Sequence, residues 1–176
     1  TDSCAMPTVR TMNTSRYIGW ICSVVVTVLA AHAQAQTESV DPIDDRPASA
    51  PAFSVERLVP LEMPPYVSVK VGIDPETISV SPNGIVRYVV VMRNATGSVS
   101  AAFEGLVCAS GQVKTYARAQ GNGSWTAVTT PVWRDMSDNL PSRHALAFAR
   151  QGACDTGTAR APADIVKALR QGRRND

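Results

Sequence analysis

Glu104 and Cys108 stand four positions apart in the run AAFEGLVCASGQVKTYA (residues 101–117), a carboxyl and a thiol among apolar neighbours. A carboxyl in such surroundings can serve as a general acid or base, and a thiolate beside a basic group is a nucleophile. Either chemistry needs partners, and the sequence is poor in them. His144 is the one histidine beyond residue 35. Zinc and most transition-metal sites take several His or Cys ligands, so no metal is assigned. A serine triad would have His144 as its single base, but no Gly-x-Ser-x-Gly elbow is present. No Gly-x-Gly-x-x-Gly or phosphate loop occurs either, and Gly121–Gly123 reads as a hairpin turn because no helix follows. No catalytic residue and no cofactor are therefore assigned. His144 reads as a helix-surface or capping residue. Glu104 is left with two roles, half of an ion pair or a recognition and acid–base group.

Whether Cys108 is a nucleophile or a staple depends on the compartment. From Met12 (Met6 is the alternative start) the chain reads MNTSRYIGWICSVVVTVLAAHAQAQ. Arg16, the uncharged stretch after it, and small residues ending at Ala33 or Ala35 form the pattern of a cleaved secretory signal peptide. The apolar run Tyr17–Ala31 falls short of the roughly 20 residues that span a bilayer, and no basic flank follows before Arg46. Cys22 follows Trp20 and Ile21, which does not suit lipidation. Export to the periplasm is the expectation. Cys4 and Cys22 would leave with the leader, so Cys108 and Cys154 remain as a pair, and an oxidising compartment makes them a disulfide. The loop so closed is worth about 4 kcal/mol in the chain-entropy picture. With no Cys-x-x-Cys, a thiol–disulfide redox role has little support.

The whole chain carries 17 basic and 15 acidic residues. Loss of Arg10, Arg16 and Asp2 leaves a net charge of +1. A near-neutral chain does not favour nucleic acid or an anionic membrane as main partner. The organisation expected is an N-terminal extension and signal peptide (1–35), a flexible Pro/Ala-rich leader (36–57), one α+β domain (58–172) and a basic tail (173–176). No transmembrane segment is expected after processing.

The elements that must position Glu104 are strands. YVSVKVGI alternates with period two, and TISVS is a second short strand before the turn Ser81–Gly84. IVRYVVVMR is nearly continuous in β-branched residues, which suits a central strand buried on both faces. Turns at Asn94–Gly97, ASGQ and Gly121–Ser124 separate further strands, which implies an antiparallel meander. Beyond Pro141 the pattern turns helical. LPSRHALAFARQG and APADIVKALRQG each carry an early proline and a late glycine, with Cys154 in the loop between them. The expected fold class is α+β, an antiparallel meander with two C-terminal helices packed on one face and one disulfide tying them to the sheet.

A hairpin loop at Asn94–Gly97 would set Arg93 against Ser98 and hence Arg87 against Glu104. A three-residue second loop would add Tyr116 opposite Glu104, making a polar row Arg87–Glu104–Tyr116. A one-residue change in either loop destroys that row. Trp125 and Trp133 flank TAVTTPV, as core packing or as an exposed aromatic surface.

Arg87-Tyr88, Glu104-Gly105 with Cys108, Tyr116-Ala117, Trp125, Trp133 and Cys154 together resemble the cryptic neisserial protein-like family of exported β-proteobacterial proteins, over roughly residues 60–170. The resemblance implies a periplasmic or envelope protein from a family with no established activity, catalytic residue or cofactor. The expected function is binding without catalysis, at a surface bearing Arg87, Tyr88, Glu104, Tyr116, Trp125 and Trp133, toward a protein or small molecule of the envelope. The alternative is a small envelope hydrolase using Glu104 as acid or base.

Overall fold

Three nine-residue strands, β4 (Ile85–Arg93), β5 (Val99–Val107) and β6 (Gln112–Gln120), form the middle of one antiparallel sheet. The structure, a computed structural model, describes residues 49–121, 124–138 and 143–172. The signal peptide, most of the leader, the tip of the Gly121–Ser124 turn, residues 139–142, where the first C-terminal helix was expected to begin, and the basic tail lie outside the described residues. β1 (Val59–Pro60) and β2 (Lys70–Ile73) extend the sheet on the β4 side, and β3 (Ser79–Val80) also pairs with β4. β7 (Thr126–Ala127) and β8 (Arg134–Asp135) both pair with β6. Every ladder is antiparallel, as the alternating strands and frequent turns led us to expect.

One sheet face is covered by α1 (His144–Phe148), a π-type turn (Ala149–Ala153) and α2 (Pro162–Gly172). Val86, Tyr88, Val90, Ala102 and Leu106 pack there against Ala145, Phe148, Ile165 and Leu169. α2 presents Ile165 and Leu169, one turn apart, to the core. Gly152 lets the helical elements approach closely, because at its φ of +149° a side chain is strained and a Cβ would lie 2.6 Å from the Ala168 Cβ. A two-stranded ribbon, β9 (Cys154–Asp155) with β10 (Thr158–Ala159), joins the helices. Cys108, one residue past β5, is disulfide-bonded to Cys154 with a Cα–Cα distance of 5.6 Å. The staple thus fixes the helical layer to the sheet at one point, as expected.

The other face is covered by a segment that composition marked as flexible leader. Ala50, Phe53, Val55 and Leu58 pack on Val89, Val91, Ala101, Phe103, Ala117 and Ala119. The Phe53 and Trp125 rings lie 5.5 Å apart, and the Trp125 indole N–H donates to the Pro51 carbonyl at 3.0 Å. Residues 50–57 therefore belong to the folded domain. They carry no period because they lie as an irregular strap over apolar side chains, turning at residues 55–57.

Register departs from expectation at both hairpins. In the first, the Asn94 N–H donates to the Ser98 carbonyl, leaving Thr96 at the centre of a three-residue loop. The Asn94 side-chain oxygen accepts from the Thr96 and Ser98 N–H groups, and Gly97 takes φ +87°. A type I turn followed by a left-handed residue makes such a loop. Facing pairs move by one, so Tyr88 opposes Glu104 and Arg87 opposes Gly105. In the second, Glu104 faces Thr115 but Phe103 faces Ala117, so a bulge leaves Tyr116 as the extra residue. Tyr116 consequently joins Phe103 and Ala117 on the strap face. The expected Arg87–Glu104–Tyr116 row does not form.

Two stability predictions follow from this packing. Gly105→Ala would bring a Cβ to 2.5 Å from the Tyr116 hydroxyl. It should cost about 1–3 kcal/mol in urea unfolding, with most of the loss recovered in the Gly105→Ala/Tyr116→Ala double variant relative to Tyr116→Ala. Replacing both Cys108 and Cys154 by Ser should cost about 2–4 kcal/mol while the far-ultraviolet spectrum is retained.

Candidate functional site

Glu104 is 2 % exposed, in the middle strand of the sheet, and faces the helical layer. Isolated there, a carboxylate would be very costly. Three elements supply it with hydrogen-bond partners. Tyr88, opposite it on β4, donates its hydroxyl to Glu104 Oε2 at 2.8 Å. Thr115, opposite it on β6, donates to Oε1 at 3.2 Å. His144, at the first position of α1, places Nε2 2.9 Å from Oε2. His144 is itself buried.

Burial pushes the Glu104 carboxyl upward. The positive charge of His144, with hydrogen bonds from His144, Tyr88 and Thr115, outweighs burial and holds it below the ordinary value of 4.5. The group is therefore a carboxylate at neutral pH, an acceptor only, so the His144 nitrogen facing it carries the proton and donates. Tyr88 moves the other way. Burial first, then the Glu104 charge and the hydrogen bond to it, raise its hydroxyl well above 10.0, so it stays protonated and donates. The Tyr88 ring also packs against Phe148 of α1, with centroids 4.4 Å apart. The loop between Val107 and Gln112 makes this set possible, because the pairing runs unbroken from that turn to Glu104–Thr115 and the bulge comes only beyond it.

The six residues singled out from the sequence divide between places. Tyr88 and Glu104 meet, under the helices. Tyr116 is buried on the strap face with its ring 5.5 Å from Phe103. Arg87, half-buried, occupies the strand position between Val86 and Tyr88 of the helix-covered face and so belongs to the strap side. Trp125 holds the strap, and Trp133 lies under Lys114, whose ammonium is 4.6 Å from its ring centroid. They do not form one surface.

Two polar residues escaped the sequence reading. His144 was assigned to a helix surface or cap, yet it completes the Glu104 cluster from 40 residues away. Asp74, fully buried, receives Arg57 Nη2 at 2.8 Å, the Ser54 N–H at 2.8 Å and the Glu76 N–H at 3.2 Å. Burial raises its carboxyl, but Arg57 and the two backbone donors together hold it below 3.8. It caps the 3₁₀ turn Pro75–Thr77 and ties the strap to the sheet in the same stroke. The signal was present in Asp74-Pro75, a capping residue before a proline at the first helical position.

Two cavities bear on ligand access. One of about 300 Å³ is lined by Thr115, Arg118, Val132, Arg134 and Asp138 among others, but not by Glu104. The other, about 410 Å³, lies between the strap and β2, with Leu58, Met63, Val67, Val69, Val91, Lys70 and Arg93 in its wall. Among the described residues no group of three or more His, Cys, Asp or Glu could hold a metal ion, and no helix is long and apolar enough to cross a membrane.

Comparison with known families matches residues 41–170 to the model described as the CNP1-like family. No curated protein and no solved structure matches.

The lowered Glu104 and Asp74 values fix the sign of an acid response. Each carboxylate contributes stability that is fully present above its ordinary pKa and is lost as pH falls through its folded-state value. The urea midpoint should hold steady from pH 7 to about 5 and fall below about 4. Glu104→Gln should flatten part of that fall. Glu104→Ala, which strands a buried imidazole, should cost about 3–5 kcal/mol at pH 7.

Proposed function

The chain belongs to the CNP1-like family, and we propose that it is an exported protein of the bacterial envelope that binds a ligand and performs no chemistry on it. The observation that carries this reading is the occupancy of the Glu104 carboxylate. Both of its oxygens take hydrogen bonds from within the fold, and 2 % of the residue is exposed. A general acid must reach the leaving group, and a base must reach the proton it removes. Glu104 could do either only by abandoning Tyr88, Thr115 and His144 inside a packed core. The hydrolase alternative asks for that rearrangement. The cluster reads instead as a bolt that fixes α1 to three strands.

Recognition on this reading belongs to open concave surface. The residues first singled out lie on two faces and largely inside, whereas the groove between strap and β2 is concave, open and mostly apolar. Small-molecule sites have that character, with volumes of about 300–1,000 Å³. The export pattern of residues 12–35 and the Cys108–Cys154 disulfide both support the periplasm as the working compartment.

Mass spectrometry of the protein isolated from its own envelope tests both parts. The denatured mass should correspond to a chain starting at residue 34 or 36 and lacking two hydrogens for the disulfide. The native mass should exceed it by a bound molecule. A bare chain with a hydrolytic activity that Glu104→Gln abolishes without unfolding would overturn the reading.

A further inference from the structure

Lys70 and Arg93 are direct partners across the β2–β4 ladder. Both are exposed. Residues so paired have Cβ atoms about 4.5–5.5 Å apart, and like charges placed there are destabilising. Arg57 of the strap, by contrast, is neutralised by Asp74 and Glu76. Neither Lys70 nor Arg93 has an ion pair among the described residues. The unfavourable pair lines the 410 Å³ groove together with Leu58, Met63, Val67, Val69 and Val91. A mostly apolar trough with two adjacent cations in its lining has the charge and polarity pattern of a tail site with a headgroup site.

We propose that this groove receives a free, single-tailed anionic amphiphile, with its hydrocarbon chain along the apolar walls and its carboxylate or similar anionic head between Lys70 and Arg93. The proposal rests on the binding role above and names the ligand class for it. The physical case has three parts. Each methylene leaving water for the groove contributes about 0.8 kcal/mol, and a hydrocarbon chain asks no hydrogen bonds of walls that offer few. An extended peptide would bring amide groups that need partners along its whole length. The anion offsets the repulsion between the Lys70 and Arg93 charges, and Arg is suited to grip a planar carboxylate with two N–H groups while Lys supplies a point charge.

Isothermal titration of the full mature chain with monomeric dodecanoate tests it, using dodecyltrimethylammonium (same tail, opposite charge), acetate (head alone) and phosphatidylglycerol vesicles as comparisons. Dodecanoate should bind one to one, with acetate and the cationic amphiphile failing to bind. Lys70→Gln and Arg93→Gln should each weaken dodecanoate by about tenfold. Their thermal midpoints should stay level or rise, because the repulsion is relieved. A residue needed only for folding would not separate those two readouts. Val67→Asp, which puts a carboxylate in the groove, should abolish uptake. Equal binding of the cationic amphiphile would overturn the headgroup site. Binding to vesicles with no uptake of monomeric dodecanoate would overturn the proposal in favour of a membrane surface. A chain that ignores dodecanoate, yet leaves its envelope with another bound mass that Val67→Asp removes, would overturn the acyl ligand and leave the binding role standing.

Discussion

A carboxylate with almost no water around it must be given hydrogen bonds by the fold itself, and the central architecture of this protein satisfies that demand at Glu104. The cost of leaving such a charge unpaired is several kcal/mol. Tyr88, Thr115 and His144 come from β4, β6 and α1, so meeting the demand fixes the register of both hairpins and the seat of the helix together. A one-residue slip at either hairpin would turn a donor to the wrong face. Such a buried polar set adds little net stability over a hydrophobic core of the same volume. Its effect is selective, since alternative packings leave it incomplete.

The second buried carboxylate, Asp74, does the same for the opposite face. Ser54 and Arg57 bring the strap to it, and Phe53 and Leu58 then close over β4 and β5. The sheet is thus covered on both sides by elements that short-range propensity would not attach to it. The disulfide adds a third tie, between the end of β5 and the ribbon that joins the helices. Charged groups inside this protein hold layers together, and the groove left beside the strap takes its character from what the layers do not cover.

This division separates chemistry-capable residues from accessible ones. Glu104 and His144 have the types and spacing of an acid–base pair, yet both Glu104 oxygens and the His144 Nε2 are committed to the fold. Lys70 and Arg93 have no such commitment among the described residues. Residue type suggests where chemistry could occur, and burial decides where a ligand can arrive.

Much of the fold was legible without coordinates. The period-two runs and their turns identify β2 to β6, Pro162 and Gly172 bound the second C-terminal helix, and two cysteines in a chain with an export pattern point to their bond. These features are local, or follow from compartment, and one stretch of chain suffices to reveal them. The cluster at Glu104 was not legible. Whether Tyr88 or Arg87 opposes it depends on a three-residue loop set by Asn94 and Gly97, and whether Thr115 or Tyr116 does depends on the length of the loop between Val107 and Gln112. His144 arrives through a helix 40 residues away. Side-chain direction alternates at every residue of a strand, so an uncertainty of one position in a loop becomes a choice between the two faces of the sheet. Only closure of the tertiary structure around a charge that must be satisfied makes that choice.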